Sequence, residues 1–386
     1  MKILHLSTSG SGGAYIAAER LVKAQISAGM DSQLLLRKDL SKNQQIMSKC
    51  LTLSQKKNTK KRYGIVTTKS LNVLKDSRIW QANPDVINFH NIYNFTNFKN
   101  ISKLSANYPI VFTLHDMRIL TGGCHYSLGC KNYLQNCENC PAVFAFKKYV
   151  SKEFKIQKST FLKMKNIAIV TPSKWLLNEV ENSYLADIAN QINYIPNVSE
   201  IETTNYQKEI NPILQIVFIA DDISEEKKGL RYLIKALETV NFKYELHIIG
   251  AGLVPSKRLG SNINLHGKKN RLFINRLLRE SDLLVVPSIQ DNFPNVILEG
   301  VTQGIAILAT NVGGMSDLPD DTFIIVEPTI KDLTVGLNKY FENKEQIDRN
   351  NVRNYKSFAQ QFSPDLVAEK YRNVYLNLLE NVNNEL

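Results

Sequence analysis

Residues 281–314, SDLLVVPSIQDNFPNVILEGVTQGIAILATNVGG, narrow the fold of this chain more than any other stretch. Residues 283–287 are a short apolar run of the kind that makes a buried parallel strand. A polar loop follows, then a helical pattern over about 295–303 that Gly304 ends. A second apolar run, 305–309, leads into Gly313-Gly314. Strand, loop, helix and strand make a βαβ unit, and ligands of such sheets bind beyond the carboxyl ends of the strands. Two acids stand there, Asp291 in the loop and Glu299 one turn into the helix. Free N–H groups at the helix start attract phosphate. A loop carboxylate can accept hydrogen bonds from hexose hydroxyls, and one on the helix can hold the two hydroxyls of a ribose. The arrangement suits a sugar nucleotide. Taken alone, the acids also fit a turn residue and a solvated helix acid.

The rest of the chain repeats the same rhythm. Strands are predicted at 2–7, 32–36, 85–89, 110–114, 167–171 and 192–195, with helical spacing at 14–28 and 175–181. A stretch without periodicity, 198–212, reads as a linker, and the basic, polar segment 37–62 reads as a mobile loop. A second series of strands follows at 214–219, 244–249, 263–266, 283–286, 305–308 and 323–326. Residues 331–386 are mostly helical, the last helix covering 365–379. Alternating elements in two series predict an α/β fold of two Rossmann-like, doubly wound domains, for which 386 residues are ample.

No run of about 18 apolar residues occurs, and the N-terminus turns polar after six residues, unlike a signal peptide. The expectation is a cytoplasmic protein. Charge is lopsided: residues 1–200 carry 27 Lys and Arg against 12 Asp and Glu, a net +15, and the remainder 21 against 24, a net −3. The first half therefore expects an anionic partner. Aromatic and basic residues are not interleaved as in a nucleic-acid module, which disfavours that class. Gly10, Gly12 and Gly13 lie between the first strand and helix without the G-x-G-x-x-G spacing of a dinucleotide site, which disfavours a dehydrogenase. His115, at the end of a strand in VFTLHD, reads as a structural histidine or as a group on the ligand side of the sheet, with Asp116 as its orienting partner or as a turn cap.

Pro287-Ser288, the acid pair, Gly304 and the run Ala309-Thr310-Asn311-Val312-Gly313-Gly314 together resemble the donor site of family 4 glycosyltransferases. Those are retaining enzymes of the GT-B fold, two Rossmann-like domains facing a cleft. The resemblance implies an acceptor domain over 1–200, a nucleotide-sugar domain over 201–365, and a terminal helical segment, 366–386, that returns to the first domain. It implies that Glu299 holds the ribose, Asp291 the sugar and Lys228 the diphosphate, with Asn292, Phe293 and Asn295 completing the donor pocket. Gly12 and Gly13 would line the cleft, and His115 would contact the donor sugar. Two positions depart from the family: Asp291 replaces the usual Glu, and Asp222 stands where an Arg is common. The implied partners are a nucleotide-sugar donor, a glycan or lipid-linked saccharide acceptor and an anionic membrane surface, with no cofactor required for catalysis. A sugar-nucleotide epimerase of similar architecture and a non-catalytic polyanion-binding protein are the alternatives.

Cys124, Cys130, Cys137 and Cys140 fall within a segment, 118–141, that follows the His-Asp pair. The terminal C-x2-C is a chelating knuckle with two further thiols in reach, consistent with a structural zinc, with disulfides or with unbridged thiols. A Cys-bearing insertion at this place also resembles a subgroup that builds bacterial exopolysaccharide and O-antigen. Cys50 stands alone.

Overall fold

A computed structural model describes residues 1–8, 10–36, 39, 54–60, 63, 66–67, 81–93, 96–199, 212–254 and 260–385. Most of the predicted linker, most of the basic segment 37–62, and Cys50 lie outside the described residues. The chain forms two compact units, Met1–Val198 with Pro364–Leu386, and Ser199–Ser363.

In the first unit, strands β1 (Lys2–Ser7), β2 (Asp31–Leu36), β3 (Val86–Asn91), β4 (Ile110–Thr113), β5 (Ile167–Thr171) and β6 (Gln191–Tyr194) make one sheet in the order β2-β1-β3-β4-β5-β6. Every pairing is parallel. Parallel strands need cover on both faces, which is why β5, Ile-Ala-Ile-Val-Thr, is buried at every residue. Helices α1 (Gly13–Ser27), α2 (Phe98–Leu104), α3 (Lys147–Phe161) and α4 (Lys174–Glu181) form the connections. The strand order reverses between β1 and β3.

The second unit repeats the plan. Its strands are β7 (Leu214–Asp222), β8 (Tyr244–Ala251), β9 (Ile263–Gly267), β10 (Leu283–Val286), β11 (Ala306–Thr310) and β12 (Ile324–Val326), in the order β12-β11-β10-β7-β8-β9. The helices are α5 (Leu230–Leu237), α6 (Arg271–Glu280), α7 (Asn295–Gln303) and α8 (Ile330–Gln360). Strands β7 and β8 outrun their apolar cores because pairing resumes between Asp222 and Ala251 past a register shift. The predicted helix 295–303 forms in full and ends on Gly304, whose left-handed φ of 72° an L side chain resists. Here the strand order reverses between β7 and β10.

The last helix, α9 (Pro364–Glu385), begins on a proline, whose missing N–H costs nothing in a first turn. Val367, Ala368, Tyr371, Val374, Tyr375 and Leu378 recur at helical spacing and are buried with Ile3, Val86, Val111, Ala168 and Val170. The chain terminus is thereby part of the first unit's core.

Candidate functional site

Open parallel sheets bind ligands where the strand order reverses, beyond the carboxyl ends of the strands. In the second unit that point lies between β7 and β10, and the loops leaving β7, β10 and β11 lock together there. Ile289 N donates to Lys227 O at 2.7 Å, Gly314 N to Asp291 O at 3.2 Å, and Thr310 Oγ1 to Ser288 O at 2.6 Å. The polar loop residues Ser288, Gln290, Asp291 and Asn292 are all buried, unusual for a connection between elements. Two glycines make this approach possible. A Cβ on Gly229 (φ 76°) would meet Pro287 O at 1.7 Å, and one on Gly313 (φ 57°) would meet Asp291 O at 1.7 Å.

Lys228 and Asp291, 63 residues apart in sequence, form an ion pair of 2.5 Å, Nζ to Oδ2. Burial pulls the Lys228 ammonium toward neutrality, but the Asp291 carboxylate outweighs it and raises the pKa above the ordinary lysine value, so the cation is retained. Burial has the opposite outcome at neighbouring Lys227, whose pKa falls despite Glu225 at 3.2 Å. Asp291 Oδ1 accepts from Asn292 N at 3.0 Å, which fixes the carboxylate's orientation. Helix α7 follows directly. It starts after Pro294 with no side-chain cap and no acid in its first turn, as α1, α3 and α5 also start without a side-chain cap, whereas α2, α4, α6 and α8 are capped by Asn97, Ser173, Asn270 and Thr329. Asn295 opens the helix, and Glu299 lies half-buried one turn on.

The structure thus brings Lys228, Asp291, Asn292 and the start of α7 together. Phe293, expected in the donor pocket, is buried with its ring stacked on Phe362 at 5.7 Å. Asp222, in the place of an Arg, accepts from Ser224 N at 2.9 Å and is a turn cap. Asp221 pairs with Lys268 at 2.7 Å.

The remaining expected residues belong to the first unit. Gly12, at φ 84°, precedes α1, and Gly13 is its first residue. His115 follows β4, and its Nε2 lies 2.9 Å from His90 Nδ1. Asp116 does not orient it. Its Oδ2 lies 2.6 Å from His125 Nδ1, and its Oδ1 accepts from Arg118 N at 2.8 Å, which leaves the turn-cap alternative. Burial would raise the Asp116 carboxyl, but His125 and the Arg118 N–H hold it below its ordinary value.

Within the insertion, the Cys124 thiol bonds Cys140, and Gly122 N donates to Cys137 Sγ at 3.2 Å. Cys140 is pulled down to about 6, first by the Cys124 thiol and then, against burial, by the N–H groups of Ala142 and Val143. All four cysteines are free. Among the described residues, no three His, Cys, Asp or Glu side chains are grouped as a metal site. The insertion is tied down elsewhere: Tyr133 Oη bonds Glu179 on α4, Lys131 meets the same carboxylate at 3.0 Å, and Arg118 reaches Gln157 on α3 at 2.7 Å.

Residues 214–343 match the family model of the glycosyl transferases group 1. The match covers the strands, loops and Lys228–Asp291 pair described above. The chain is 23% identical over 251 residues to a putative colanic acid biosynthesis glycosyl transferase, WcaC, of Escherichia coli (strain K12), an alignment that spans 60% of each chain. Among solved structures, sucrose-phosphate synthase (tll1590) from Thermosynechococcus elongatus superposes with a TM-score of 0.66 at 14% identity, over 99% of this chain and 100% of that one. Anabaena Alr3699/HepE in complex with UDP and glucose gives 0.65 at 15% identity, over 98% and 100%. The fold is GT-B, two parallel α/β units of six strands each.

The sequence reading missed the hydrogen-bonded run from His115 through His90 to His5. The available signal was a histidine within or at the end of three strands that become neighbours.

Proposed function

We propose that the chain is a retaining glycosyltransferase that moves a sugar from a nucleotide-sugar donor to a glycan or lipid-linked saccharide in bacterial surface polysaccharide synthesis. The observation that carries this reading is the Lys228–Asp291 pair at the β7/β10 reversal, beside the uncapped start of α7. The family match over the same residues, the relative named for colanic acid synthesis and the solved neighbour with UDP and glucose support it. In this reading Lys228 and the first N–H groups of α7 stabilise the diphosphate as it departs, a preorganised electrostatic contribution. Asp291 accepts from sugar hydroxyls and keeps Lys228 charged and aimed. Glu299 accepts from the ribose. The anomeric bond breaks through an oxocarbenium-like state, as in glycoside hydrolysis. The test is incubation with nucleotide sugar and a bacterial glycan acceptor, with product stereochemistry read by NMR. Retained configuration is expected; inverted product, or an altered sugar nucleotide formed without acceptor, contradicts the reading.

Zinc at Cys124, Cys130, Cys137 and Cys140 is a further part of the proposal. Its support is the C-x2-C spacing and the hydrogen bond between the Cys124 and Cys140 thiols. The ion would close the insertion and would have no part in transfer. Elemental analysis is expected to find about one zinc per chain, whose removal loosens the insertion and spares nucleotide binding. Protein purified without chelator and free of zinc contradicts it.

We also propose peripheral attachment to an anionic membrane, which the charge of the first unit supports. Phe144 and Phe146 are 66% and 68% exposed at the start of the Lys-rich helix α3, an apolar edge beside Lys147 and Lys148. Lys56, Lys57 and Lys60 form a second basic group, whose continuation, Lys61 and Arg62, lies outside the described residues. Each basic residue near an anionic surface contributes about 1 kcal/mol. Among the described residues, no helix is long and apolar enough to cross a membrane. Co-sedimentation with anionic liposomes is expected at low salt, fading as salt is added; equal recovery with neutral vesicles contradicts the proposal.

A further inference from the structure

Three neighbouring strands of the first unit carry a run of imidazoles, of which only His115 has an expected role. His5 lies in β1, His90 in β3, and His115 just past β4. His5 Nδ1 is 2.8 Å from His90 Nε2, and His90 Nδ1 is 2.9 Å from His115 Nε2. The far end of the run rests on Gln25 of α1, whose Oε1 lies 2.8 Å from His5 Nε2.

Gln25 sets the direction of every bond in the run through the amide atom that faces His5, here its oxygen. Its Oε1 also accepts from Ser32 Oγ at 2.7 Å, and its Nε2 donates to Tyr375 Oη at 3.0 Å. Tyr375 is itself held by Asn88 Nδ2 at 3.0 Å, and the Asn88 oxygen accepts from Thr113 Oγ1 at 2.9 Å. An amide oxygen only accepts, so His5 Nε2 carries the proton. Burial holds His5 neutral, pushing it down to about 4 against the pull of Gln25, so its Nδ1 is bare and takes the proton of His90 Nε2. His90, also kept neutral by burial, has a bare Nδ1 that accepts from His115 Nε2–H. Burial holds His115 at about 4 as well, outweighing the Asp116 carboxylate, which is engaged with His125 and Arg118.

We propose that Gln25, His5 and His90 are positioning residues that lock His115 as the Nε2–H tautomer, so that its Nδ1 accepts a hydrogen bond from a ligand hydroxyl and rejects a phosphate oxygen. Among the described residues, none is bonded to His115 Nδ1. The lock lies wholly within the first unit and does not rest on the glycosyltransferase reading.

The test is two-bond 15N–1H correlation NMR of the full chain labelled with 15N-histidine, without substrate, at pH 7.5. His5, His90 and His115 are each expected as neutral Nε2–H imidazoles; His115 as Nδ1–H or as imidazolium overturns the lock. Gln25→Glu provides a second reading. A carboxylate at His5 Nε2 favours a protonated His5, whose Nδ1–H then donates to His90 and reverses the run, leaving His115 as Nδ1–H. An unreversed His115 in folded Gln25→Glu overturns the proposal, and the wild-type spectrum decides it if that variant does not fold. Because the tautomers are read without substrate, Nε2–H imidazoles in a protein that transfers no sugar support the lock and remove only the glycosyltransferase reading. An Nδ1–H His115 in an active protein removes only the lock.

Discussion

Replacing Lys228 by alanine is expected to slow sugar transfer by about two to three orders of magnitude, the usual loss when one preorganised group is removed from a developing charge. The position of the ammonium sets this magnitude. It lies 2.5 Å from Asp291, with its side chain only 22% exposed, and the carboxylate keeps it charged against burial. Such a cation costs no reorganisation when negative charge accumulates on the departing diphosphate. Asp291→Asn keeps the shape but removes the charge that fixes Lys228 and, in the proposed function, an oxygen that would accept from the sugar, so kcat is expected to fall more than KM rises. Glu299→Gln touches binding alone: KM for the donor is expected to rise about ten-fold with kcat little changed. Steady-state kinetics of the three variants check the pattern. Wild-type rates in all three would place the donor site elsewhere.

Acid is expected to destabilise the first unit steeply between pH 6.5 and 4. His5 is fully buried, and burial, only partly opposed by its bond to Gln25, lowers it to about 4. An unfolded histidine titrates near 6.5. Between those values the unfolded chain binds a proton that the native chain does not, so stability is fully present above pH 6.5 and declines as pH falls. His5 alone accounts for roughly 3 kcal/mol of that decline. His90, buried and lowered by desolvation and by its two histidine neighbours, acts in the same direction. This is a large part of the roughly 5–15 kcal/mol that holds a domain folded. Asp116 is lowered from an already acidic value, so its contribution is lost at still lower pH. Melting temperature followed by circular dichroism from pH 7.5 to 4.5 is the measurement. A flat profile contradicts the burial of neutral histidines; a fall that His5→Asn reduces supports it.

The β10–α7–β11 unit was legible because its signals are local: an apolar run, a helix of nine residues, and Gly304 in the one backbone region that ends it cleanly. Lys228 was legible through the family resemblance, but the glycine after it was not, since the need for Gly229 comes from Pro287 O, 58 positions along the chain. Asp116 reads in sequence as a partner for the adjacent His115 or as a turn cap; the fold pairs it with His125, at 2.6 Å, and with Arg118 N. Phe293 sits among pocket residues in sequence, yet its ring completes the core against Phe362. The histidine run depends on contacts spanning 85 and 25 residues, and its Gln25 anchor on one spanning 350. Each of those residues, met singly along the chain, looks like an ordinary polar side chain.

The central claim is that the second unit binds a nucleotide sugar at Lys228, Asp291 and Glu299. A ligand that binds only the folded chain raises its melting temperature, so the direct measurement is thermal shift across UDP-, GDP-, ADP- and dTDP-linked sugars, run in parallel on wild type and Lys228→Ala. The account predicts that sugars on at least one nucleotide raise the melting temperature of wild type, with a smaller rise or none in the variant. No shift from any donor at millimolar concentration, or equal shifts in both proteins, would contradict it.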